Sequence, residues 1–490
     1  MGMEVEREQF TTADYAEFSQ RLRENLEALR GFLARPQVGK SPPSIGLEVE
    51  MHLVDEAAQP ACVSEAVLRR THDSRCTLEI DAFNFEINTN PVALAGRPFQ
   101  QLDGELSELL SKVRVAAADS GARVLLAGTL PTLTIEQLRG PVLSDTPRYR
   151  TMSRLLRERR GGPFVVNIVG RECLRAECDD LALEGANASL QVHLLTTPSD
   201  FANVYNAATI AAGPLLAVTG NSPYFDGKCL WEETRIALFK QATDVRADEQ
   251  VRMRMPARVS LGHGFIRDPV HLFEENIAMF EPLLPIVSDR TDHLDAGAAP
   301  PLYELRLHQG TVWNWNRAVY DPAGGGHLRL EHRVVASGPT RVDILANAAF
   351  TLGLSLAIAP LAAAWLPAFP FAYAERNLYR AAKHGLDAEL AWPAPIAPSP
   401  RIRNARELVL DLVPLAEAAL VRYGVDPNEA AQLLAIIRER ALTGKTGANA
   451  QRRLLARYER DLPRTAALAR MVEDYLSLSS TEQPVHTWKL

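Results

Sequence analysis

The sequence is poor in cysteine, with only five among its 490 residues. The number is odd, and no two cysteines have the Cys-x-x-Cys spacing of a zinc site or a redox motif. We therefore expect neither a disulfide framework nor a structural zinc site, but reduced thiols of the kind found in cytosolic proteins. The N-terminal segment is acidic and lacks the apolar core of a signal peptide, which also predicts a cytoplasmic protein.

The chain also lacks an excess of positive charge. Its formal net charge is −7, which argues against nucleic acid as the main partner because phosphates would be repelled. The run that most resembles a membrane span, residues 344–366, is interrupted by Asn347, Thr351, Ser355 and Pro360. This composition predicts a buried helix instead of a span. We expect small-molecule substrates, no nucleic acid and no membrane, and the choice between a monomer and a homodimer stays open.

Common nucleotide and nucleophile motifs are missing as well. Residues 443–446 (Thr-Gly-Lys-Thr) end like a phosphate-binding loop, but Glu439 stands where that loop needs glycine, and a helical pattern precedes it. Lys445 nevertheless stays a candidate for contacting a substrate phosphate. No Gly-x-Ser-x-Gly element is present. Three consecutive glycines at 324–326 are more typical of a hairpin turn than of a nucleotide cradle.

What the sequence does have is alternation of polar and apolar residues. In residues 44–52, Glu48, Glu50 and His52 alternate with apolar residues. Alternate residues of a strand share one face, so two carboxylates and an imidazole would point the same way while the apolar set faces a core. Carboxylates that close repel each other unless a cation lies among them. A divalent metal ion is the obvious candidate.

Four further segments have the same pattern. They are 77–88 (Glu79, Asp81, Asn84, Glu86), 188–194 (Gln191, His193), 302–308 (Glu304, Arg306, His308) and 328–333 (Arg329, Glu331, Arg333). In the first, the alternation changes phase at residues 82–83, which predicts a bulge or bend in the strand. A sheet with one solvated face would alternate similarly, but it would be expected to include lysine, and none of the five segments contains one.

Helical spacing is present between these segments. It predicts helices over 13–34, 99–118, 148–159, 200–218 and 342–366, with a buried strand at 123–128. Residues 394–400 are a proline-rich connector, beyond which 401–490 read as helices. We therefore expect a catalytic domain over residues 1–395 and a helical C-terminal region over 396–490 that packs on it.

Several short motifs occur in a fixed order between residues 44 and 370. They are Gly46-Leu-Glu-Val-Glu50, Phe85-Glu-Ile87 with Asn90-Pro91, Arg148-Tyr149 with Met152, Ala188-Ser-Leu-Gln-Val-His-Leu194, Asn221-Ser-Pro-Tyr-Phe-Asp-Gly-Lys228 with Trp231 and Arg235, the spaced set His308, Thr311, Trp313 and Arg317, and Leu330-Glu-His-Arg333. In this order they resemble the glutamate–cysteine ligases of the plant and bacterial second type, with their carboxylate–amine ligase relatives in the glutamine synthetase superfamily. The sequence departs from that pattern at three places. His193 stands where the plant type has Asn, residues 311–317 are unusually rich in Trp, and a Pro-Glu-Val next to the family's arginine is missing.

The resemblance implies a fold and a reaction. The fold would be α/β (α+β) and glutamine synthetase-like, with a curved, mostly antiparallel sheet that forms a funnel and with helices outside. In such ligases ATP phosphorylates a carboxylate, here expected to be the γ-carboxylate of glutamate, and an amine attacks the acyl phosphate. The products are an amide, ADP and phosphate. The departures lie where substrates would touch, so the amine acceptor stays open between cysteine, another amino acid, an amine and a peptide end.

The resemblance also implies roles for individual residues. Glu48, Glu331 and Arg333 would be catalytic. The Mg²⁺ or Mn²⁺ ligands would come from Glu48, Glu50, Asp81, Glu86, His193 and Glu331. Substrate binding would involve Arg148, Tyr149, Trp231, Arg235 and Arg317, and nucleotide binding Gln191, Lys228 and Lys445. Carboxylate-bound Mg²⁺ and arginine forks are suited to stabilising a transferring phosphoryl group.

Two other function classes are compatible with an acidic funnel. A metal-dependent hydrolase or nuclease would need the carboxylates but no ATP. A non-catalytic binding protein could keep the fold, although it would have no reason to keep so many apposed carboxylates. ADP release that depends on a carboxylate substrate separates both from a ligase.

Overall fold

The computed structural model describes residues 7–288, 298–393 and 400–490. The strands are β1 (Ser44–Val54), β2 (Cys76–Leu78), β3 (Asn84–Asn88), β4 (Val92–Ala93), β5 (Arg123–Leu125), β6 (Phe164–Val169), β7 (Cys173–Cys178), β8 (Ser189–Leu195), β9 (Tyr224–Phe225), β10 (Lys228–Cys229), β11 (Asn316–Asp321), β12 (His327–Ala336), β13 (Glu389–Trp392) and β14 (Arg401–Asn404). The helices are α1 (Thr12–Leu33), α2 (Ser64–Thr71), α3 (Pro98–Ala118), α4 (Ile135–Leu138), α5 (Pro147–Arg160), α6 (Ala182–Gly185), α7 (Pro198–Thr219), α8 (Arg235–Ala242), α9 (Asp248–Arg252), α10 (Val270–Met279), α11 (Tyr303–Gln309), α12 (Arg341–Trp365), α13 (Phe371–His384), α14 (Ala405–Arg422), α15 (Pro427–Thr443), α16 (Gly447–Tyr458) and α17 (Arg464–Ser480).

The main sheet joins strands that are far apart in the sequence. Its order is β11–β12–β8–β1–β3–β2, with β4 and β5 also paired to β1, and its pairs are antiparallel. The alternation in β1 produces the two faces, because Leu47, Val49 and Met51 are at most 1% exposed and lie in the core. Glu48 and Glu50 occupy the opposite face. The curled antiparallel sheet with surrounding helices confirms the predicted fold class.

Two of the predicted strands are wrong in detail. Residues 77–88 do not form one bent strand but a hairpin, in which β2 pairs with β3 and the Asn84 N–H donates to the Asp81 carbonyl at 2.9 Å. The switch in the polar–apolar alternation at residues 82–83 therefore marks a reversal of the chain direction. Residues 302–308 form most of helix α11. Seven residues are too few to separate a period of 2 from one of 3.6.

The polar residues of α11 do not share one environment. The Ser288 N–H donates to Glu304 Oε1 at 2.8 Å, and His308 Nε2 lies 3.0 Å from the Asn276 carbonyl oxygen. Both side chains are about 1% exposed. They connect α11 to its neighbours, whereas Arg306 lines the cavity described below.

The predicted helices are present, and two of them form the core behind the sheet. Helices α7 and α12 pack against each other, and α12 also packs on β8. The segments Pro198–Thr219 and Arg341–Ala368 are long and apolar enough to cross a membrane, but 94% and 83% of their most apolar windows are buried inside the protein. This burial agrees with core helices.

Residues 400–490 pack on the rest of the chain. Arg440 of α15 is 2% exposed and donates to Asn347 Oδ1 at 2.6 Å and Asp343 Oδ1 at 2.7 Å, both on α12. Gln451 Nε2 donates to Asn221 Oδ1 at 2.9 Å. Most of the proline-rich connector lies outside the described residues, and the division into 1–395 and 396–490 stays a prediction.

Candidate active site

The polar face of the main sheet forms one wall of a cavity of about 810 Å³. Strands β1, β3, β11 and β12 supply charged side chains to it and β8 supplies Gln191, and helices α5 and α11 also contribute to its lining. The charged and amide residues that line it are Glu48, Glu50, Glu79, Asn84, Glu86, Asp145, Arg148, Glu184, Asn187, Gln191, Arg306, Gln309, Arg317, Asp321, Arg329, Glu331 and Arg333. At least one polar residue from each of the five alternating segments therefore lines this cavity, whereas His52, Asp81, His193, Glu304 and His308 are not part of its lining.

Three carboxylates form a tight group, which we call the acidic cluster: Glu50, Glu79 and Glu86. One oxygen from each lies within 4.8 Å of the others. Strand pairing explains part of this proximity, because Glu50 of β1 lies directly opposite Glu86 of β3. Glu79 follows β2, which pairs with the other edge of β3.

Glu50 is firmly held within the cluster. Ser189 donates its backbone N–H to Glu50 Oε2 at 2.6 Å and its hydroxyl to Oε1 at 2.9 Å. Gln191 Nε2 donates to Oε1 at 2.8 Å. Three donors from β8 therefore fix the position of this carboxylate.

Three other acids near Glu50 have raised pKa values. Burial, followed by the charges of Glu48 and Glu50, raises the pKa of Glu86 from its ordinary 4.5 to about 7. Burial and then the neighbouring Glu86 and Glu50 raise the pKa of Glu79 well above its ordinary value. Burial and Glu50 raise the pKa of Glu184 to about 8. Burial and the repulsion between neighbouring carboxylates thus both disfavour the charged forms of these three acids.

At the centre of the sheet, Glu331 is paired with two arginines. Arg317 Nη2 lies 2.8 Å from Glu331 Oε2 and Arg333 Nη1 lies 2.8 Å from Oε1. Burial raises the pKa of Glu331, but the two guanidinium groups outweigh it and hold the pKa well below the ordinary value. Arg333 Nη1 also donates to Gln191 Oε1 at 2.6 Å.

Glu48 lies between this group and a histidine. His193 Nε2 is 3.0 Å from Glu48 Oε1. Burial alone would raise the pKa of Glu48. The contact with His193 lowers it by more than burial raises it, so that the pKa lies at about 2. On the other side of the imidazole, Arg329 Nε donates to His193 Nδ1 at 3.2 Å. Glu48 is thus an anion with one oxygen held in place.

Arg148 and Tyr149 enter the cavity from α5. Thr146 caps this helix with its side chain and Pro147 begins it, which places both residues at its first turn. The Tyr149 hydroxyl donates to the Leu78 carbonyl at 3.2 Å. Burial lowers the pKa of Arg148, although it stays a cation at neutral pH. Arg148 is positioned to bind an anionic group in the cavity.

The other predicted site residues do not line this cavity. Arg235 is 2% exposed and reaches the β12 backbone, with Nη1 donating to the Arg333 carbonyl at 3.3 Å. Trp231 donates its indole N–H to the Val169 carbonyl at 3.0 Å, and Lys445 Nζ donates to the Trp488 carbonyl at 3.1 Å. Lys228 lies exposed on β10. Direct substrate contact by these four residues stays a prediction.

Asp81 also faces away from the cavity lining. It is fully buried against Gly185, and neither carboxyl oxygen has a hydrogen-bond partner within the described parts of the chain. Burial, with Glu184 and Asp180 nearby, raises its pKa well above the ordinary value. Asp81 is therefore separate from the acidic cluster, although its role as a metal ligand was predicted from the same segment.

Sequence reasoning missed several charged cavity residues as functional candidates, among them Glu79, Glu184, Arg306 and Arg329. Glu79 and Arg329 stand in the alternating segments, so the alternation could have included them. Arg306 was placed on a strand but lies on a helix, and Glu184 on α6 has no local signal. Only the fold brings Glu184 beside Glu50.

The acidic cluster is suited to a divalent cation. Its carboxylates lie close together, and burial and then mutual repulsion raise the pKa values of two of them, Glu79 and Glu86. Hard cations such as Mg²⁺ prefer carboxylate oxygens. The cavity is also large enough for a ligand of nucleotide size, since typical ligand pockets measure about 300–1,000 Å³.

Comparison with known proteins identifies one matching family and two solved structures of similar fold. The model of the family described as glutamate-cysteine ligase family 2 matches residues 44–474. A glutamate–cysteine ligase from Francisella tularensis, solved in complex with AMP, is 12% identical with a TM-score of 0.50, and the match covers 92% of this chain and 96% of that one. A bifunctional glutathione synthetase from Pasteurella multocida is 13% identical with a TM-score of 0.52, and the match covers 94% of this chain but 53% of that one. A search of curated protein sequences gave no match. At these identities the two structures support the fold.

Proposed function

The chain belongs to glutamate–cysteine ligase family 2, and from this premise we propose that it joins the γ-carboxylate of glutamate to an amine through an acyl phosphate, with release of ADP and phosphate. Family membership already makes it an ATP-dependent ligase that forms C–N bonds. The donor, the intermediate and the products are the parts that we add.

The observation that carries the proposal is the pairing of opposite charges within one cavity. The acidic cluster Glu50, Glu79 and Glu86 lies at one part of the polar face, and Glu331 with Arg317 and Arg333 lies at another. A metal-dependent hydrolase needs only the first group. Phosphoryl transfer between two anions needs both, because metal ions and guanidinium groups together must neutralise the phosphates and the attacking carboxylate.

Each group has a defined part in the proposed reaction. The acidic cluster would hold Mg²⁺ or Mn²⁺, with Glu48 beside it, and the bound ion would neutralise phosphate charge and align the reacting groups. Arg333 is rigidly held by Glu331 and Gln191 and can donate to an oxygen of the transferring phosphoryl group. A preorganised donor of this kind stabilises developing charge without moving.

The donor carboxylates would be bound by arginines on the helical side of the cavity. Arg148 from α5 and Arg317 from β11 both line it. Arg317 also pairs with Glu331 through one nitrogen, so its fork has further donors. Trp313, about 8% exposed, forms an apolar part of the wall. Such a wall would help keep water from the acyl phosphate, which hydrolysis would otherwise consume.

The first experiment traps the intermediate. The protein is incubated with ATP, Mg²⁺, glutamate and hydroxylamine, and γ-glutamyl hydroxamate is measured together with ADP. Hydroxylamine is a small, strong nucleophile, so it reports acyl phosphate formation whichever acceptor the protein uses. We expect hydroxamate and ADP in equal amounts, and both should depend on glutamate.

The matched controls are two glutamate-to-glutamine variants. Glu331→Gln should abolish hydroxamate formation, whereas Glu136→Gln, whose side chain is 81% exposed on the surface, should not change it. ADP formation without any hydroxamate from glutamate, but with hydroxamate from another carboxylic acid, would show that the ligase uses a different donor. A screen of amino acids and amines for phosphate release then identifies the acceptor.

A further inference from the structure

We propose that the C-terminal helices α16 and α17 position Arg333 for phosphoryl transfer, and that Gln451 and Asn221 connect α16 to strand β12 for this purpose. The proposal rests on the proposed function in giving Arg333 a part in the reaction. It adds two positioning residues, Asn221 and Gln451, that are not part of the cavity lining. The C-terminal region would then contribute to catalysis as well as to stability.

Arg333 lies in a β-bulge. The register of β12 against β8 shifts between His332 and Val335, because β12 has one residue more than β8 between these two pairs. A bulge of this kind re-aims side chains and is over-represented beside active sites. The Arg333 side chain lies in the cavity, where Nη1 donates to Gln191 and Glu331. The geometry of the bulge therefore determines where this guanidinium group points.

Two residues bind the backbone of the bulge, where the regular ladder is interrupted. The Arg333 N–H donates to the Trp315 carbonyl at 2.8 Å. Arg235 donates from Nη1 to the Arg333 carbonyl at 3.3 Å and from Nη2 to the Val334 carbonyl. The Arg235 guanidinium also lies over the Trp315 ring, 5.2 Å from its centroid. The position of Arg333 thus depends on where Arg235 is held.

Arg235 is held by a buried network that leads to Asn221. Arg235 Nε lies 3.3 Å from Glu233 Oε1, and both side chains are buried. The Asn221 N–H donates to Glu233 Oε2 at 2.8 Å. Asn221 Nδ2 donates to the Ser337 carbonyl at 2.7 Å, directly after the end of β12. Asn221 therefore contacts the chain beyond β12 directly, and it reaches the bulge through Glu233 and Arg235.

The C-terminal helices bind Asn221 from the other side of this network. Gln451 Nε2 of α16 donates to the Asn221 backbone carbonyl at 3.1 Å and to Oδ1 at 2.9 Å. The Tyr475 hydroxyl of α17 lies 3.0 Å from the same Oδ1. At the start of α16, a Cβ atom on Gly447 would overlap the Asn221 side chain. Asn221, Gln451 and Tyr475 are at most 1% exposed. These contacts are therefore shielded from water, and they fix Asn221.

Hydrogen exchange measured by mass spectrometry tests this connection without turnover. Gln451→Met removes both donors to Asn221 at similar side-chain length, and Gly447→Ala displaces the Asn221 side chain. In both variants the peptide covering residues 328–337 should exchange faster than in wild type, because its local opening becomes easier. The peptide covering residues 84–88 should exchange as in wild type. Unchanged exchange of 328–337 in both variants would overturn the proposal, and so would equal acceleration of both peptides, which indicates a general loss of stability.

The chain offers a matched control for each substitution. Gln432 is exposed on α15, so Gln432→Met makes the same chemical change away from Asn221. Gly104 lies in α3 with open space where a Cβ would be, so Gly104→Ala adds a methyl group without displacing a neighbour. Both controls should exchange like wild type in residues 328–337. Because no ATP or substrate is present, these results do not depend on the ligase assignment.

Kinetics at a temperature well below unfolding separate positioning from stability. In the hydroxylamine assay, kcat of Gln451→Met should fall about tenfold, since a misplacement of about 1 Å can cost about a hundredfold. The KM values for ATP and glutamate should stay within about twofold, because the lost interaction belongs to the transition state. An unchanged kcat would show that the C-terminal helices serve stability alone.

A double-mutant cycle tests whether Arg333 is the residue that Gln451 acts through. Arg333→Lys keeps the charge but loses the guanidinium group. Adding Gln451→Met to Arg333→Lys should lower kcat by less than about twofold, because residues of one network are not additive. The same tenfold loss in both backgrounds would overturn the proposal. A wild-type protein that forms no hydroxamate would instead refute the proposed function, whereas the exchange measurements would still decide whether α16 holds the bulge.

Discussion

Replacing Glu86 with glutamine should stabilise the metal-free protein while weakening its binding of metal. The side chain is 5% exposed and lies in the acidic cluster. Thr77 Oγ1 and Asn88 Nδ2 donate to Glu86 Oε1 at 3.0 and 2.9 Å. A glutamine carbonyl oxygen can accept both hydrogen bonds. The substitution therefore removes a charge and keeps the shape and the contacts.

The size of the effect follows from the raised pKa of Glu86. Burial and then the charges of Glu48 and Glu50 move the pKa from 4.5 to about 7. At about 1.4 kcal/mol per pH unit, ionising this group costs about 3 kcal/mol more in the folded than in the unfolded chain. The folded state binds the proton more tightly, so stability is lost as pH rises from 4.5 to 7. The full cost is present at pH 8 and largely absent at pH 5.

Thermal unfolding in EDTA tests this. An unfolding entropy of about 2.1 cal/mol/K per residue gives about 1 kcal/mol/K for 490 residues. Glu86→Gln should thus unfold about 3 °C higher than wild type at pH 8 and at nearly the same temperature at pH 5. With saturating Mg²⁺ the order should reverse, because the wild type gains more from the metal. A variant less stable than wild type at pH 8 in EDTA would refute the uncompensated charge.

Three further outcomes are expected. Glu48→Gln and Glu331→Gln should each lower kcat at least about a hundredfold, as is typical when a direct electrostatic contributor is removed. Near-normal turnover in both variants would show that these two acids have only a structural role. Arg317→Lys keeps the positive charge but loses the two-pronged guanidinium group, so the KM for glutamate should rise far more than the KM for ATP. The opposite pattern would show that Arg317 binds the nucleotide. Arg440→Met should lower the free energy of unfolding by about 3–5 kcal/mol, because it leaves the buried Asp343 carboxylate without its ion-pair partner. A loss below about 1 kcal/mol in denaturant titrations would show that the pair contributes little.

The alternating segments were sufficient to predict three strands of the main sheet and the side of each that faces the site. β1, β8 and β12 lie where the alternation placed them. The pattern misled where it was short. Residues 302–308 alternate over seven positions, yet Tyr303–Gln309 forms α11, because the buried Glu304 and His308 are four residues apart and so share one helix face.

Only some of the carboxylates that the sequence predicted to lie together do so in the structure. Glu50 and Glu86 come together because β1 and β3 pair in the register that sets them opposite each other. Asp81 was expected beside them but turns towards Gly185 at the hairpin connection, and Glu79 takes that place in the acidic cluster. A reversal of the chain changes which side chains share a face, and the sequence pattern did not distinguish it from a bulge.

By itself, the sequence determined the character of each element: which strands carry a charged face, which helices are apolar throughout, and which motifs resemble an amide-forming ligase. These are local properties, because side-chain periodicity within a strand or helix depends on a few neighbouring residues. Only the tertiary structure decided which charges meet. The pairings of Glu331 with Arg317, of His193 with Glu48 and Arg329, and of Glu184 with Glu50 depend on strand register and on loops distant in sequence. Register is set by packing of the whole sheet against its helices, so no single segment could contain that information.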